Sequence, residues 1–329
     1  MLNSLGPTHS SSDKYRYLIG IASYVVLFIL FAAAPLFISS YIMGLIIMCL
    51  ISSICAMSYG LLIGYSGLLS FGHVVGWGVG AYTVGILVGK GMTTNFLGVL
   101  GAGILSTIII SAIFAFIALR TQGIYFALIT LALAELVHAV TLKWARFTGG
   151  ENGLTGIERP WGMGDFPFYY LVLFFFVISL CIFRWLISSW FGKTLVGIRE
   201  NEPRMLMLGY NTWLYKYITY IITAIFAGLG GVLSSYYTGI ASPEDFNFVT
   251  SGSFLLMVLI GGRATLIGPI MGSFFVIFAS HYLSTYTNEW MLILGIIFVL
   301  VVMFARKGIG GYLVEWGQKI QLRIGSRLS

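Results

Sequence analysis

The sequence predicts an all-α fold: a polytopic transmembrane helical bundle of about ten spans, with eight or nine as alternatives and both termini cytoplasmic. Three observations predict it. Of 329 residues, 58% are hydrophobic and only 9% charged, against roughly 25% charged in a soluble domain. Such a chain cannot cover a water-facing surface, so most of its surface faces lipid. The apolar residues fall in runs of about 20, the length at which a helix crosses a bilayer. The basic residues collect in three segments separated by even numbers of these runs, a bias that sets direction across the membrane.

Residues 1–17 are polar and form an N-terminal cytoplasmic tail carrying Lys14 and Arg16. The transmembrane domain follows over 18–304, with spans at 18–38, 42–63, 66–89, 96–119, 122–142, 167–187, 215–237, 252–261 with its continuation, 266–283 and 290–304. The first run is too long for a typical signal-peptide core, and Pro35 directly after Ala32–Ala34 argues against cleavage there. The third and eighth spans are the weakest: one is full of glycine, the other short and interrupted at Gly261-Gly262-Arg263. A loop at 188–214 holds Lys193, Arg199 and Arg204, with Lys216 just beyond it, and a C-terminal tail at 305–329 holds Arg306, Lys307, Lys319, Arg323 and Arg327. Both are therefore expected in the cytoplasm. The segment "GIASPEDFNF" has Glu244 and Asp245 but no base, so it belongs outside, and the loop 143–166 falls on the same side.

The net charge of +7 reflects these basic loops; no basic-aromatic module points to nucleic acid. Cys49, Cys55 and Cys181 all lie within apolar spans at spacings that match no metal motif. No nucleophile–base set is visible, so the chain is not expected to be an enzyme.

Three stretches carry chemistry. In "GYSGLLSFGHVVGWGVGAYT" (64–83) the glycines favour close helix packing. They also permit a helix break where backbone lines a cavity, in which case Tyr65, Ser66, Gly67, Ser70 and His73 would face a substrate path. In "GIYFALITLALAELVHAVTLKW" (123–144) Glu135 sits mid-span with His138 one turn later. A charge there costs about 2.5–3.5 kcal/mol on insertion scales, so it must be paired, protonated or wetted. A tie between helices and a place in the path are equal alternatives. Tyr125 and Thr130 on the same span join the candidates. The third stretch, "GKTLVGIRENEPRMLMLGYN" (192–211), is a charged island. Its Gly192-Lys193-Thr194 is not a phosphate loop, because the required preceding glycine is Ile187 and a membrane span precedes it. Pro203 suits a first helical turn, Asn201 or Glu202 a cap, and Gly209 and Asn211 a stop. The island is a short amphipathic element that either rests on the membrane or docks a soluble partner.

These motifs, in order, resemble the permease subunits of ATP-binding-cassette importers for branched-chain amino acids, in particular the larger of the two permeases. The resemblance runs from about residue 60 to 310. It rests on "GYSGLLSFGH…GAYT", "LRTQGIYFALITLALAE" with "TGGENGLTGI", "GKTLVGIRENE" with "LGYN", and "FAGLGGVLSSYYTGIASPEDFNFVTSGSFLLMVLIGGRATLIGP". It implies a prokaryotic cytoplasmic (inner) membrane location, a second permease subunit, two cytoplasmic ATP-binding subunits and an extracytoplasmic substrate-binding protein. ATP would bind the partner ATPases and no cofactor would bind this chain. The island would be the docking and coupling element, through Gly197, Arg199, Glu200, Asn201, Glu202 and Gly209. Pro203-Arg204-Met205 departs from the family's alanine-rich pattern, and Ala264 replaces a usual glycine. The same family includes carriers of urea and short amides, which makes those an alternative cargo. A secondary transporter coupled through Glu135 and His138 is the alternative from another class, and a passive channel a third.

Overall fold

A computed structural model describes residues 37–304 except Ala264 and Asn288, together with Phe31, Pro35 and Gly308. Most of the expected first span, Lys14, Arg16 and the five C-terminal bases therefore lie outside the described residues, as does Ala264.

Each expected span from the second onward coincides with a helix, though not always over its full length. Helix α1 covers Ser40–Gly64. The third span is composite: a 3-10 turn at Phe71–His73, helix α2 at Val74–Val84, and a π turn at Gly85–Gly89. It starts five residues later than the sequence suggests, because Gly67 takes a left-handed φ of 73° and residues 67–70 are not helical. Helices α3 (Phe96–Ala118), α4 (Ile124–Lys143) and α5 (Asp165–Ser188) follow. The charged island forms α6 (Trp190–Glu200) and α7 (Glu202–Met207). Then come α8 (Thr212–Thr238), α9 (Phe248–Gly261), α10 (Ile267–Tyr286) and α11 (Trp290–Phe304).

Seven of the described helical segments are long and apolar enough to cross a membrane. Helix α9, with 14 residues, reaches about 21 Å at 1.5 Å per residue, short of a hydrocarbon core about 30 Å thick.

Burial divides the bundle into a centre and a rim. The α1, α2 and α8 spans are 83%, 72% and 72% buried, whereas α3, α4, α5 and α10 are 28–33% buried and present apolar side chains outward. Glycine accounts for the tight centre. A Cβ on Gly80 would fall on the carbonyl oxygen of Gly228, and one on Gly231 would fall on that of Trp77. The backbones of α2 and α8 thus meet directly, as small residues allow in membrane helices. For Gly76, Gly78 and Gly80 the packing alternative is the one realised, since each lies against α8 or the ring of Phe246.

The loops sort into two faces. On one, β1 (Leu154–Thr155) pairs antiparallel with β2 (Ile240–Ala241), and Lys90 Nζ donates to the Phe147 carbonyl at 2.6 Å. On the other, Arg199 reaches the carbonyl of Gly64 and Lys216 pairs with Glu202 at 2.6 Å. The loops 143–166 and 239–247 therefore share a face opposite the island, the relative placement that the order of the spans predicts.

Candidate functional site

The break between α1 and α2 organises the site. Helix α1 closes with Ser66 N–H donating to Leu61 O and Leu68 N–H to Leu62 O around left-handed Gly67, a glycine-terminated helix end. Backbone groups freed inside a membrane must find partners within the protein, and three helices supply them. Tyr59 of α1 donates to the Ser70 carbonyl at 2.6 Å, Thr130 of α4 accepts from Phe71 N–H at 3.2 Å, and Ser251 of α9 donates to the Phe71 carbonyl at 2.7 Å. Ser70 is fully buried beside the Tyr220 hydroxyl. His73 stacks on Tyr59 with ring centroids 4.9 Å apart and lies 2.8 Å from Ser58 Oγ. Ser58 Oγ also lies 2.7 Å from the Cys55 carbonyl. His73 is thus held inward against α1. A cavity of about 10 Å³ beside it, lined by Gly72, His73, Thr107, Ser111 and Tyr220 among others, has room for about one water.

The path residues expected from sequence divide into two groups. Ser70, His73 and Thr130 meet at the break, and Tyr65, Ser66 and Gly67 form its turn. Ser66 is buried with its hydroxyl on the Leu62 carbonyl. Tyr125 and Glu135 are elsewhere: each is five residues from Thr130, about 140° around the helix. Both face away from the bundle, Glu135 with a side chain 46% exposed. Glu135 Oε2 lies 3.6 Å from Nδ1 of His138, on its own helix, and His138 Nε2 is buried with no hydrogen-bond partner. Among the described residues Glu135 ties α4 to no other helix.

The island is helical where a phosphate loop would be open. Ser189 caps α6 through Gly192 N–H, and Thr194 donates to the Trp190 carbonyl, so Gly192-Lys193-Thr194 is the first helical turn. Asn201 caps α7 by accepting from Arg204 N–H at 3.0 Å. Gly209, with φ 86°, closes it. Asn211 does not stop a helix; it caps the start of α8 by accepting from Leu214 N–H. Gly197 allows close packing of α7 on α6, since a Cβ there would lie 2.9 Å from the Met205 sulfur. Glu202 is engaged with Lys216 of α8, and Arg199 turns back towards the break. Of the six docking candidates Arg199, Glu200, Asn201 and Gly209 are exposed and Gly197 and Glu202 half-buried; Glu200, with its side chain 68% exposed, lies 3.7 Å from the Arg199 guanidinium. Between the island and the break lies a cavity of about 510 Å³, lined by Ser66, Gly67, Leu68, Arg199, Glu202 and Lys216 among others.

Two features escaped the sequence. The tip of α7 presents Leu206, Met207 and Leu208 to solvent, Met207 at 87% and Leu208 at 66% exposure. Their only signal was an apolar run at the end of a charged segment with nothing left to bury it. The second is Asp245. It lies in a 3-10 turn, Pro243–Phe246, that descends from β2 along α2. It accepts from the Trp77 indole at 3.2 Å and from Ser242 N–H at 3.0 Å. Burial pushes its carboxyl above the ordinary range, against those two hydrogen bonds. The Ser242-x-x-Asp245 spacing, a capping box, was the available clue.

A helical bundle built around an interrupted central span is the architecture of a membrane transport subunit. Residues 41–302 match the family described as branched-chain amino acid transport system / permease component, and the chain belongs to that family. It is similar to the high-affinity branched-chain amino acid transport system permease protein LivM of Escherichia coli K12, 28% identical over 87% of this chain and 73% of the relative. It is also similar to a probable LivM permease of Methanocaldococcus jannaschii, 25% identical over 74% and 82%. A third relative is the LivH permease of Salmonella typhimurium, 23% identical over 76% and 89%. No solved structure matches the chain.

Proposed function

We propose that this chain is one permease of a pair in a prokaryotic inner-membrane importer, translocating leucine, isoleucine and valine by alternating access. An extracytoplasmic binding protein delivers the amino acid. ATP is bound and hydrolysed on two partner ATPases seated on α6 and α7, not on this chain, which holds no cofactor. The chain crosses the membrane about ten times with both termini cytoplasmic. Family membership over residues 41–302 carries this reading, and its relatives of both LivM and LivH type support a permease pair.

The break at residues 65–73, with Ser70 and Thr130 at its centre, is where the path is closed. The face of α4 that bears Glu135 is covered by the second permease, because a carboxylate left facing lipid mid-membrane is costly.

The test is uptake of labelled leucine by the assembled transporter in proteoliposomes. Unlabelled isoleucine and valine should compete and urea should not. Competition by urea or a short amide alone would assign the other cargo.

A further inference from the structure

Arg199 belongs to the island by sequence but to the broken span by contact. Its stem lies over Gly67, where a Cβ would come within 2.9 Å of Arg199 Cγ. Its Nη1 donates to the carbonyl of Gly64. That carbonyl ends α1, and the amide that would cap it in a continuous helix, Leu68 N–H, has turned to Leu62 instead. The guanidinium thus stands in for the next turn of the helix. Beside this contact a cavity of about 510 Å³ opens between the two parts, and the Arg199 side chain bridges them, its stem on Gly67 and its guanidinium on the Gly64 carbonyl. A second polar link, Lys216 to Glu202, ties α7 to the start of α8.

We propose that Arg199 is a positioning residue that passes displacement of α6–α7 to the break at residues 65–70, rather than a contact for the ATPases. The inference rests on the importer reading above. When α6–α7 shift, the guanidinium draws the Gly64 carbonyl and the Gly67 turn with them, and the hydrogen bonds that close the break at Ser70 and Phe71 are reached from there. Glu200, one residue on and facing solvent, does not share this role.

The experiment compares wild type, Arg199→Ala and Arg199→Lys in the full transporter with its ATPases. Copurification of the ATPases should be unchanged in both variants. Leucine imported per ATP hydrolysed should fall about tenfold in Arg199→Ala, within the usual span of coupling between sites. Arg199→Lys should recover part of it, since one ammonium N–H satisfies one carbonyl. Thiol labelling of Leu69→Cys, read against the parent chain, should change between nucleotide-free and ATP-bound states and lose that change when Arg199→Ala is added. Loss of copurification would make Arg199 a docking residue and overturn the proposal, as would wild-type import per ATP in Arg199→Ala. If Arg199→Ala does not accumulate, the labelling change is read in Arg199→Lys, where a response no smaller than wild type together with full import also overturns it. Absence of ATP-driven uptake by the wild-type transporter is a different result, and defeats the importer reading itself.

Discussion

Trp77, in the first turn of α2, donates its indole N–H to Oδ1 of Asp245 at 3.2 Å, pinning the turn after β2 against the broken span. The same indole packs on Phe254 of α9, with ring centroids 5.0 Å apart, and its backbone meets Gly231 of α8. One residue thus joins the centre of the bundle to the loop on the face opposite the island.

Trp77→Phe keeps an aromatic ring there and removes the donor. A buried carboxylate oxygen then lacks a partner, at a cost of about 1–3 kcal/mol, read as a lower midpoint of thermal unfolding in detergent. Because burial raises the Asp245 carboxyl, the fold binds its proton more tightly than the unfolded chain does. Wild type should therefore gain on Asp245→Asn as pH falls through the raised value, and the gain should level off near the ordinary carboxylate range. A difference between the two that does not vary with pH would contradict this.

Gly80→Ala and Gly231→Ala should each destabilise by about 1–3 kcal/mol through overpacking. Gly101→Ala and Gly252→Ala, where nothing lies within 4 Å of an added Cβ, should be neutral or better. Thermal unfolding of the four variants distinguishes helix contact from a glycine-lined path. Equal effects at all four positions would remove the packing account of α2 and α8.

The exposed apolar tip of α7 is the expected ATPase contact. Met207→Glu and Leu208→Glu should reduce ATPase copurification at least tenfold while membrane insertion is unchanged, a loss of about 1.4 kcal/mol or more. Glu200→Ala should weaken it less. Full copurification in the double variant would place the contact elsewhere.

A cysteine at Leu136, exposed beside Glu135 on α4, should cross-link to the second permease in membranes. Labelling of that cysteine by a lipid-soluble probe in the assembled transporter, with no cross-link, would show the face to be open to lipid.

Much of this was legible in the sequence. Helix positions followed from apolar run length, and the pairing of β1 with β2 puts the two loops on one face, as the order of the spans predicts. The Asn201 cap and the Gly209 stop were readable because both are local chemistry. What was not legible depends on direction around a helix and on contacts distant in sequence. The glycines of residues 64–83 announce both a break and a packing seam, and only the approach of α8 separates Gly67 from Gly80. Thr130 and Glu135 share a span but face opposite ways once α4 packs. Arg199 reads in the sequence only as a docking and coupling residue of the island, because the carbonyl it meets, that of Gly64, lies 135 residues earlier. Asp245 looked like a loop acid because the descent of its turn along α2 leaves no trace in composition.

We expect transport by this chain to be driven by partner ATPases. The most direct test is labelled leucine uptake into proteoliposomes that hold this chain and the second permease, with the binding protein supplied outside. Uptake should require the ATPases and internal ATP, and should be absent with a proton or sodium gradient alone. Gradient-driven, ATP-independent uptake by this chain would contradict the account.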